Sequence, residues 1–265
     1  MKQWCRGGTI LVAGVLAFGS SGTARADKVT LTNDREIDAK QVTWRESDQE
    51  YRVEMADGTI MPFPKAQVAR LQVDKPADYA KAMQLVTAKQ PDAAIPLLEG
   101  LTTSYKMRNW DNEARKVLAQ IYLGKNDAKK AALTLDDYFS SVPKAEVPVD
   151  VQVLYWKALL GADRSSTLKK ELDDVIAGND RETAAAAQLM RGTMNRQAGL
   201  KEAAFLDYMR VVELFKDVKS VQPEALFKAA ELLEEMRDPR AEPLRKKLAQ
   251  EYKDSEWAAK LGGRY

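Results

Sequence analysis

The periodicity of apolar residues changes once along this chain, at Lys75-Pro76, and the change separates two kinds of structure. Before this point apolar and polar residues alternate, which is typical of strands with one buried face. From Ala77 onward the apolar residues recur every three to four positions, as on one face of an α-helix. Proline cannot pair in a central strand but suits the first turn of a helix. The sequence therefore predicts a small β module at 27–74 and a helical domain at 75–265.

The first 26 residues have the composition of a secretory signal sequence. Lys2 and Arg6 give a positive start, an apolar run follows at 10–18, and Ala24-Arg25-Ala26 places small residues where a signal peptidase reads them. The apolar run is much shorter than the ~20 residues that a helix needs to cross a bilayer. We therefore expect cleavage after Ala26, a periplasmic or otherwise extracytoplasmic location, and no transmembrane segment.

The residue types present exclude most catalytic chemistry. Cys5 precedes the apolar run, where it cannot serve as a lipid attachment site, and the chain has no histidine. The mature chain therefore lacks disulfides, thiol nucleophiles, histidine bases and Cys/His zinc sites. Acidic pairs such as Asp136-Asp137 and Asp173-Asp174 are neighbours on predicted helices, where adjacent side chains do not face each other. We expect no enzyme activity, no cofactor and no metal site.

The mature chain carries almost no net charge. Residues 1–26 contain Lys2, Arg6 and Arg25, so 38 of the 41 basic side chains remain beside 39 acidic ones, a formal net charge of −1. Nearly equal numbers of basic and acidic side chains produce no strong positive electrostatic field that would attract nucleic acid or anionic lipid. The composition therefore predicts partners other than nucleic acid.

Alternating apolar residues predict short strands in the β module, and Asp57-Gly58 is a strong hairpin signal between two of them. We predict five strands, around Val29–Leu31, Val42–Trp44, Tyr51–Met55, Thr59–Phe63 and Val68–Val73. A segment this short can close a small barrel. The strand order, with a turn at Asn33-Asp34 and the stretch Pro-Lys-Ala-Gln-Val before the last strand, resembles the Sm-like small barrels. A three-stranded meander packed on the first helix is the alternative.

The helical part is interrupted at regular places by glycine, asparagine, aspartate or proline. These breaks lie at Gln90-Pro91, Gly124-Lys125-Asn126, Gly161-Ala162-Asp163, Gly199 and Asp238-Pro239. They predict about ten helices arranged as five antiparallel hairpins.

Small residues recur where two helices of a hairpin would cross. Between 114 and 143, Ala119 and Ala131 take these places, and Leu118, Tyr122 and Leu135 surround them. Gly192 and Ala204 repeat the arrangement between 188 and 214. This spacing resembles the tetratricopeptide repeat (TPR). The resemblance implies a right-handed superhelix whose first helices line a concave groove, whereas an ordinary helical bundle with chance alanine placement is the alternative.

The TPR resemblance implies binding of proteins or peptides in the concave groove. The groove residues expected from it are Tyr79, Lys116, Gln120, Thr193, Arg196 and Gln197. The plan of the chain is similar to the Tol-Pal coordinator family and to outer-membrane assembly lipoproteins with such repeats. It lacks the N-terminal coiled coil of the first and the lipidated cysteine of the second. We therefore expect a non-catalytic adaptor of the bacterial cell envelope without a more specific role.

Two other functions remain open from the sequence. The chain would be a peptidoglycan or glycan binder if Trp44, Tyr51 and Phe63 of the β module formed a sugar-binding surface. It would be a glycosidase built on helical hairpins if a buried glutamate with a raised pKa lay in a cleft, but no glutamate stands in a distinctive motif.

Overall fold

The protein is mostly helical, as the sequence predicts, with a small β module at the N-terminal end of the described chain. The structure is a computed structural model that describes residues 27–178 and 180–262. The predicted signal sequence, residues 1–26 with cleavage after Ala26, lies outside the described residues. The strands are β1 (Asp27–Leu31), β2 (Glu36–Ala39), β3 (Gln41–Arg45), β4 (Glu50–Glu54), β5 (Ile60–Pro64) and β6 (Val68–Gln72).

These strands form two antiparallel sheets of three strands each, in the orders β2-β1-β6 and β3-β4-β5. The prediction of a closed five-stranded barrel is therefore wrong. The two sheets share one core, to which Val29 and Ile37 contribute from one sheet and Val42, Val53 and Phe63 from the other. Two small sheets can bury this core between their faces without closing a barrel.

Strand β2 is not among the five strands predicted from the sequence. Only Ile37 and Ala39 alternate there, between the exposed Glu36 and Asp38, so the apolar pattern is too short to predict a strand. The chain bends at Lys40, where β2 ends and β3 of the other sheet begins. This bend distributes two consecutive strands between two sheets.

Asp27 connects the two sheets through its side chain. Its Oδ2 accepts a hydrogen bond from the Val42 amide of β3 at 3.0 Å, and its Oδ1 accepts one from the Asp74 amide after β6 at 3.1 Å. Asp27 is buried, and a buried carboxylate is tolerated when backbone amides satisfy it. The first described residue is thus part of the framework of the module.

Eleven α-helices follow in the described residues. They are α1 (Ala77–Thr87), α2 (Pro91–Ser104), α3 (Trp110–Gly124), α4 (Ala128–Ser141), α5 (Val149–Gly161), α6 (Ser165–Ile176), α7 (Arg181–Gln197), α8 (Lys201–Leu214), α9 (Gln222–Glu235), α10 (Ala241–Glu251) and the short α11 (Glu256–Ala259). The first ten form five consecutive antiparallel hairpins, and each of the five predicted breaks lies at the turn inside one hairpin.

The turns inside the five hairpins share one backbone geometry. Each contains one residue with positive φ, and these are Lys89 (58°), Asn126 (59°), Asp163 (58°), Gly199 (77°) and Arg237 (56°). The amide after each of them donates to the carbonyl five positions earlier, at 2.8–3.0 Å, which is the bond that closes a helix with a left-handed residue. Successive left-handed residues are 37, 37, 36 and 38 positions apart. The hairpins therefore repeat at a nearly constant interval, slightly longer than the 34 residues of a TPR.

Small residues occupy most of the helix crossings. The alanines at these crossings are fully buried: Ala82, Ala94, Ala119, Ala131 and Ala204. Because their side chains are small, the two helix backbones can approach closely and exclude solvent from them. The third hairpin differs, since Trp156 and Leu168 take the corresponding places, seven before and five after Asp163. Consistent with this bulk, α5 has more extensive contacts with α7 than with its own hairpin partner α6.

Most helix contacts are between neighbours in sequence, and the first helices α3, α5 and α7 also contact one another in order. The buried apolar residues of the helical part form two clusters, one from α1 to α7 and one from α7 to the end of the described chain, and α7 contributes to both. Among the described residues, no helix combines the length and the apolar character that a bilayer crossing requires.

A candidate binding cleft between the β module and the helices

The connector between α2 and α3, residues 105–109, holds the β module against the helices. Arg108 is buried, and its Nη1 donates to the Val42 carbonyl of β3 at 2.7 Å while its Nη2 donates to the Ser104 carbonyl of α2. The guanidinium also lies over the Tyr105 ring, 4.2 Å from its centroid. Burial lowers the pKa of Arg108, and the nearby Tyr105 and Asp27 counteract this effect. One side chain thus joins a strand edge to a helix end.

Three further hydrogen bonds join the connector and the start of α3 to the strands. Asn109 Nδ2 donates to the Leu71 carbonyl of β6 at 3.2 Å, and Trp110 Nε1 donates to the Val73 carbonyl at 2.9 Å. In the opposite direction, the Tyr51 hydroxyl donates to the Met107 carbonyl at 3.0 Å. Burial, with the charge of Asp111, raises the pKa of Tyr51 to about 12. The junction is therefore well determined, which a binding site between two parts requires.

The connector contains two strained residues. Met107 has a φ of 61° and Asn109 a φ of 70°, and neither is glycine. Such backbone conformations cost free energy and persist where the surroundings impose them, often at functional sites. Here the surroundings are the hydrogen bonds that the connector makes to Leu71 and Tyr51.

A buried ion pair lies below the connector. Asp111 is fully buried, and its Oδ2 accepts from the Met107 amide at 2.9 Å and from Arg115 Nη1 at 2.8 Å. Its Oδ1 is also buried and has no hydrogen-bond partner among the described residues. A buried carboxylate oxygen without a donor is costly. The unpartnered oxygen makes the Asp111–Arg115 ion pair an unusual feature of the junction.

Two hollows lie along this junction, between the β module and the α2–α4 region. One has a volume of about 490 Å³ and the other about 600 Å³, and both are lined by Lys65, Met107 and Ser141. Volumes of this order are typical of binding pockets. Since the two hollows share three residues, we describe them together as the junction cleft, with a first hollow on the Trp44 side and a second on the β6 side.

Polar groups dominate the first hollow. Trp44, half-buried, lies against the Tyr51 ring with centroids 4.9 Å apart and donates from Nε1 to Glu46 at 2.8 Å. Lys106 Nζ forms an ion pair with the same carboxylate at 2.8 Å. The hydrogen bonds from Lys106 and Trp44 lower the pKa of Glu46. This rim is thus already paired, and its charges are neutralised within the protein.

The structure does not gather the six predicted groove residues into one hollow. Thr193 and Arg196 of α7 both face α9, where Thr193 Oγ1 accepts from Lys228 Nζ at 2.8 Å and Arg196 forms ion pairs with Glu231 and Glu235, each at 2.7 Å. These two residues are close together, but their polar groups are engaged inside the chain.

The other four predicted residues lie apart. Tyr79 packs on Trp110, with ring centroids 4.9 Å apart, and Lys116 pairs with the neighbouring Glu113 at 2.7 Å. Gln120 and Gln197 are exposed and line two separate shallow hollows. Of the six, these two glutamines are the most available to a partner.

The residues that form the junction were not identified from the sequence. Arg108 and Asp111 flank Asn109-Trp110, and the only local signal was a strongly polar stretch directly before an apolar helix. Arg108 and Asn109 bind strand carbonyls 66 and 38 positions earlier in the chain, and local patterns do not reveal such contacts.

The aromatic residues considered for glycan binding are distributed differently from an exposed platform. Tyr51 and Phe63 are buried in the core of the β module, and Trp44 alone borders the first hollow. No family model, curated protein or solved structure matches this chain.

Proposed function

We propose that this chain is an exported adaptor of the cell envelope that binds proteins or peptides through a stack of TPR-like hairpins. The observation that carries the proposal is the repetition of one hairpin geometry at intervals of 36 to 38 residues. Most of the hairpins bury small residues where their two helices cross, and the first helices α3, α5 and α7 lie beside one another. Repeat architectures of this kind expose long continuous surfaces that suit protein contacts.

The finer fold belongs to the same proposal. A nearly constant rotation between successive hairpins would give a right-handed superhelix with the first helices on its concave side. Gln120 and Gln197 are the predicted groove residues that remain free for a ligand. Small-angle X-ray scattering of the mature protein tests this shape, because a superhelix has a larger radius of gyration than a compact bundle of equal length.

The proposed periplasmic or otherwise extracytoplasmic location is supported by the sequence of residues 1–26, which has the three parts expected of a signal peptide. The near-neutral charge of the mature chain supports partners other than nucleic acid.

The adaptor proposal is tested by photo-cross-linking in intact cells. A photoreactive amino acid is placed at Gln120 or Gln197, and at Lys129, an exposed position on the second helix α4. We expect the same protein to be cross-linked from the first two positions and not from the third. Failure of both glutamine positions to cross-link to any protein argues against an adaptor.

Glycan binding is a second candidate, because Trp44 borders a polar hollow with hydroxyl groups from Thr102, Thr103 and Ser140. Its support is reduced by the burial of Tyr51 and Phe63. Sedimentation with purified cell wall tests it, and Trp44→Ala would then abolish sedimentation. A glycosidase has less support, since the buried charged residues of the described chain include aspartate and arginine but no glutamate.

A further inference from the structure

We infer that the junction cleft binds an extended segment of a partner protein, and that this segment carries acidic side chains on one face and basic side chains on the other. The inference rests on the proposed adaptor function and adds to it a site and a ligand class. It is carried by the charges that line the cleft and by the strand edge that borders it.

The side of the cleft formed by the β module is basic. Lys65, which lines both hollows, and Arg70 of β6, which lines the second, are exposed. Neither forms an ion pair within the described residues. Lys106 and Arg115 also line the first hollow, but Glu46 and Asp111 neutralise them. Two positive charges on this side therefore remain available to a ligand.

The side formed by the helices is acidic. Asp137 of α4 lines the first hollow, and Glu146, in the turn before α5, lines the second. Both are exposed and have no ion-pair partner among the described residues. Each hollow is thus bounded by an unpaired base from the β module and an unpaired acid from the helices. Charges arranged in this way orient a ligand of complementary charge and select against others.

An extended peptide fits this arrangement because successive side chains of a strand point to opposite sides. If acidic and basic residues alternate, all carboxylates face Lys65 and Arg70 while all ammonium groups face Asp137 and Glu146. A helix with the same composition would distribute its charges around its axis. The cleft therefore favours the extended conformation.

The strand edge that borders the second hollow supports the same ligand. The Leu31 amide donates to the Arg35 carbonyl at 2.9 Å, on the side of β1 that faces β2. Because main-chain groups alternate along a strand, the amides and carbonyls of Lys28 and Thr30 face β6. The main-chain groups of Leu71, which pairs with Val29, consequently lie on the outer edge of β6, where the Leu71 carbonyl accepts a hydrogen bond from Asn109 Nδ2. The Leu71 amide remains, and an extended peptide can accept its hydrogen bond, as in strand addition to a sheet edge.

The test measures binding of synthetic peptides to the mature protein by fluorescence polarisation at low salt. The probe is a short peptide in which Glu and Lys alternate, and the control peptide has the same composition in the order Glu-Glu-Lys-Lys. We expect the alternating peptide to bind at least tenfold more tightly, because the block order places both charges on each face of a strand. Equal affinity of the two peptides, or no binding of either, overturns the inference.

Charge reversal of the cleft gives an internal check. The variant Lys65→Glu/Arg70→Glu makes both sides acidic, and we expect its affinity for the alternating peptide to fall at least tenfold. Adding Asp137→Lys/Glu146→Lys restores opposite sides, and binding should return because the peptide can turn over. A merely damaged fold would not be rescued by two further substitutions.

The matched control is Lys129→Glu/Lys253→Glu, which changes the net charge of the protein by the same amount, but at exposed positions outside the cleft. We expect it to retain the affinity of the natural sequence. If it weakens binding as strongly as Lys65→Glu/Arg70→Glu does, the effect belongs to total charge and the cleft is not the site.

Cross-linking separates this inference from the adaptor proposal. A photoreactive residue at Gln67, beside Lys65, should capture the partner that Gln120 captures. Capture at Gln120 without capture at Gln67 leaves the adaptor standing and rejects the cleft as its site. Capture at none of Gln67, Gln120 and Gln197 rejects both.

Discussion

Gly192 of α7 lies directly against the ring of Tyr208 of α8, and a Cβ added to Gly192 would be only 2.5 Å from Tyr208 Cε1. Tyr208 is fully buried, so its ring has little room to move. The absence of a side chain at Gly192 is therefore what allows these two helices to pack around a large aromatic residue.

We predict that Gly192→Ala destabilises the protein by about 1–3 kcal/mol, because overpacking outweighs the better helix propensity of alanine. Gly100, inside α2, is the matched control, since an added Cβ there meets nothing within 4 Å. Gly100→Ala should raise the free energy of unfolding by up to about 1 kcal/mol. Urea unfolding of both variants measures the contrast, and the same sign for both would contradict the packing.

Asp207 of α8 is buried and accepts hydrogen bonds from several side chains of α7. Gln188 donates at 2.6 Å, Arg191 at 3.0 Å and Asn195 at 2.8 Å, and Arg191 also pairs with Asp173 of α6 at 3.1 Å. We predict that Asp207→Ala costs about 3–5 kcal/mol, because it leaves the half-buried Arg191 without its main partner. Thermal unfolding checks this value.

Asp174 provides the comparison for Asp207, because it forms an ion pair with Lys170 at 3.0 Å while both side chains are more than half exposed. Asp174→Ala should change the free energy of unfolding by less than about 1 kcal/mol. Equal losses for the two substitutions would show that the network around Asp207 adds no stability of its own.

The Tyr51 hydroxyl predicts a pH dependence of the junction. Its pKa is raised to about 12 in the folded state, first by burial and then by Asp111, against about 10 in an unfolded chain. Below pH 10 the Tyr51 hydroxyl is protonated in both the folded and the unfolded state, so its full contribution to the free energy of unfolding is present. As the pH rises toward 12 the unfolded state ionises first, so the free energy of unfolding falls, on the order of 1 kcal/mol per pH unit from this group.

Tyr51→Phe should reduce this alkaline loss while costing about 1 kcal/mol at neutral pH through the hydrogen bond to Met107. Val53→Ala, in the core of the same module, removes no ionisable group; it is the control and should leave the slope as it is. Chemical unfolding between pH 8 and 11 gives both slopes, and parallel curves for the natural chain and Tyr51→Phe would refute the assignment.

Signal processing is predicted to leave Asp27 as the first residue of the mature chain. Mass spectrometry of the exported protein should therefore give the mass of residues 27–265. Ala26→Pro should block cleavage, because proline does not fit the small-residue position that the peptidase reads. A mature protein that retains residues 1–26 would contradict this reading.

The hairpins could be predicted from the sequence because their turns are local. Gly124 and Asn126, or Gly199, interrupt the apolar pattern at the point where a helix closes with a left-handed residue, and this signal needs no distant contact.

The junction cleft could not be predicted in this way. Arg108 reaches the Val42 carbonyl across 66 positions, and the Tyr51 hydroxyl reaches Met107 across 56. Whether an arginine is exposed or joins two parts of a protein depends on such contacts, which composition and periodicity do not contain. The same limit explains the wrong barrel prediction, because the pairing of β1 with the distant β6 places these strands in one sheet and β3 to β5 in another.

The equal geometry of the five hairpin turns has a consequence for how the length of this molecule can change. Cutting the chain at two equivalent left-handed residues, such as Asn126 and Asp163, and joining the ends would delete one complete unit without altering the turn itself. Duplication at the same points would add one. The reach between the β module and the opposite end is thus adjustable in whole steps.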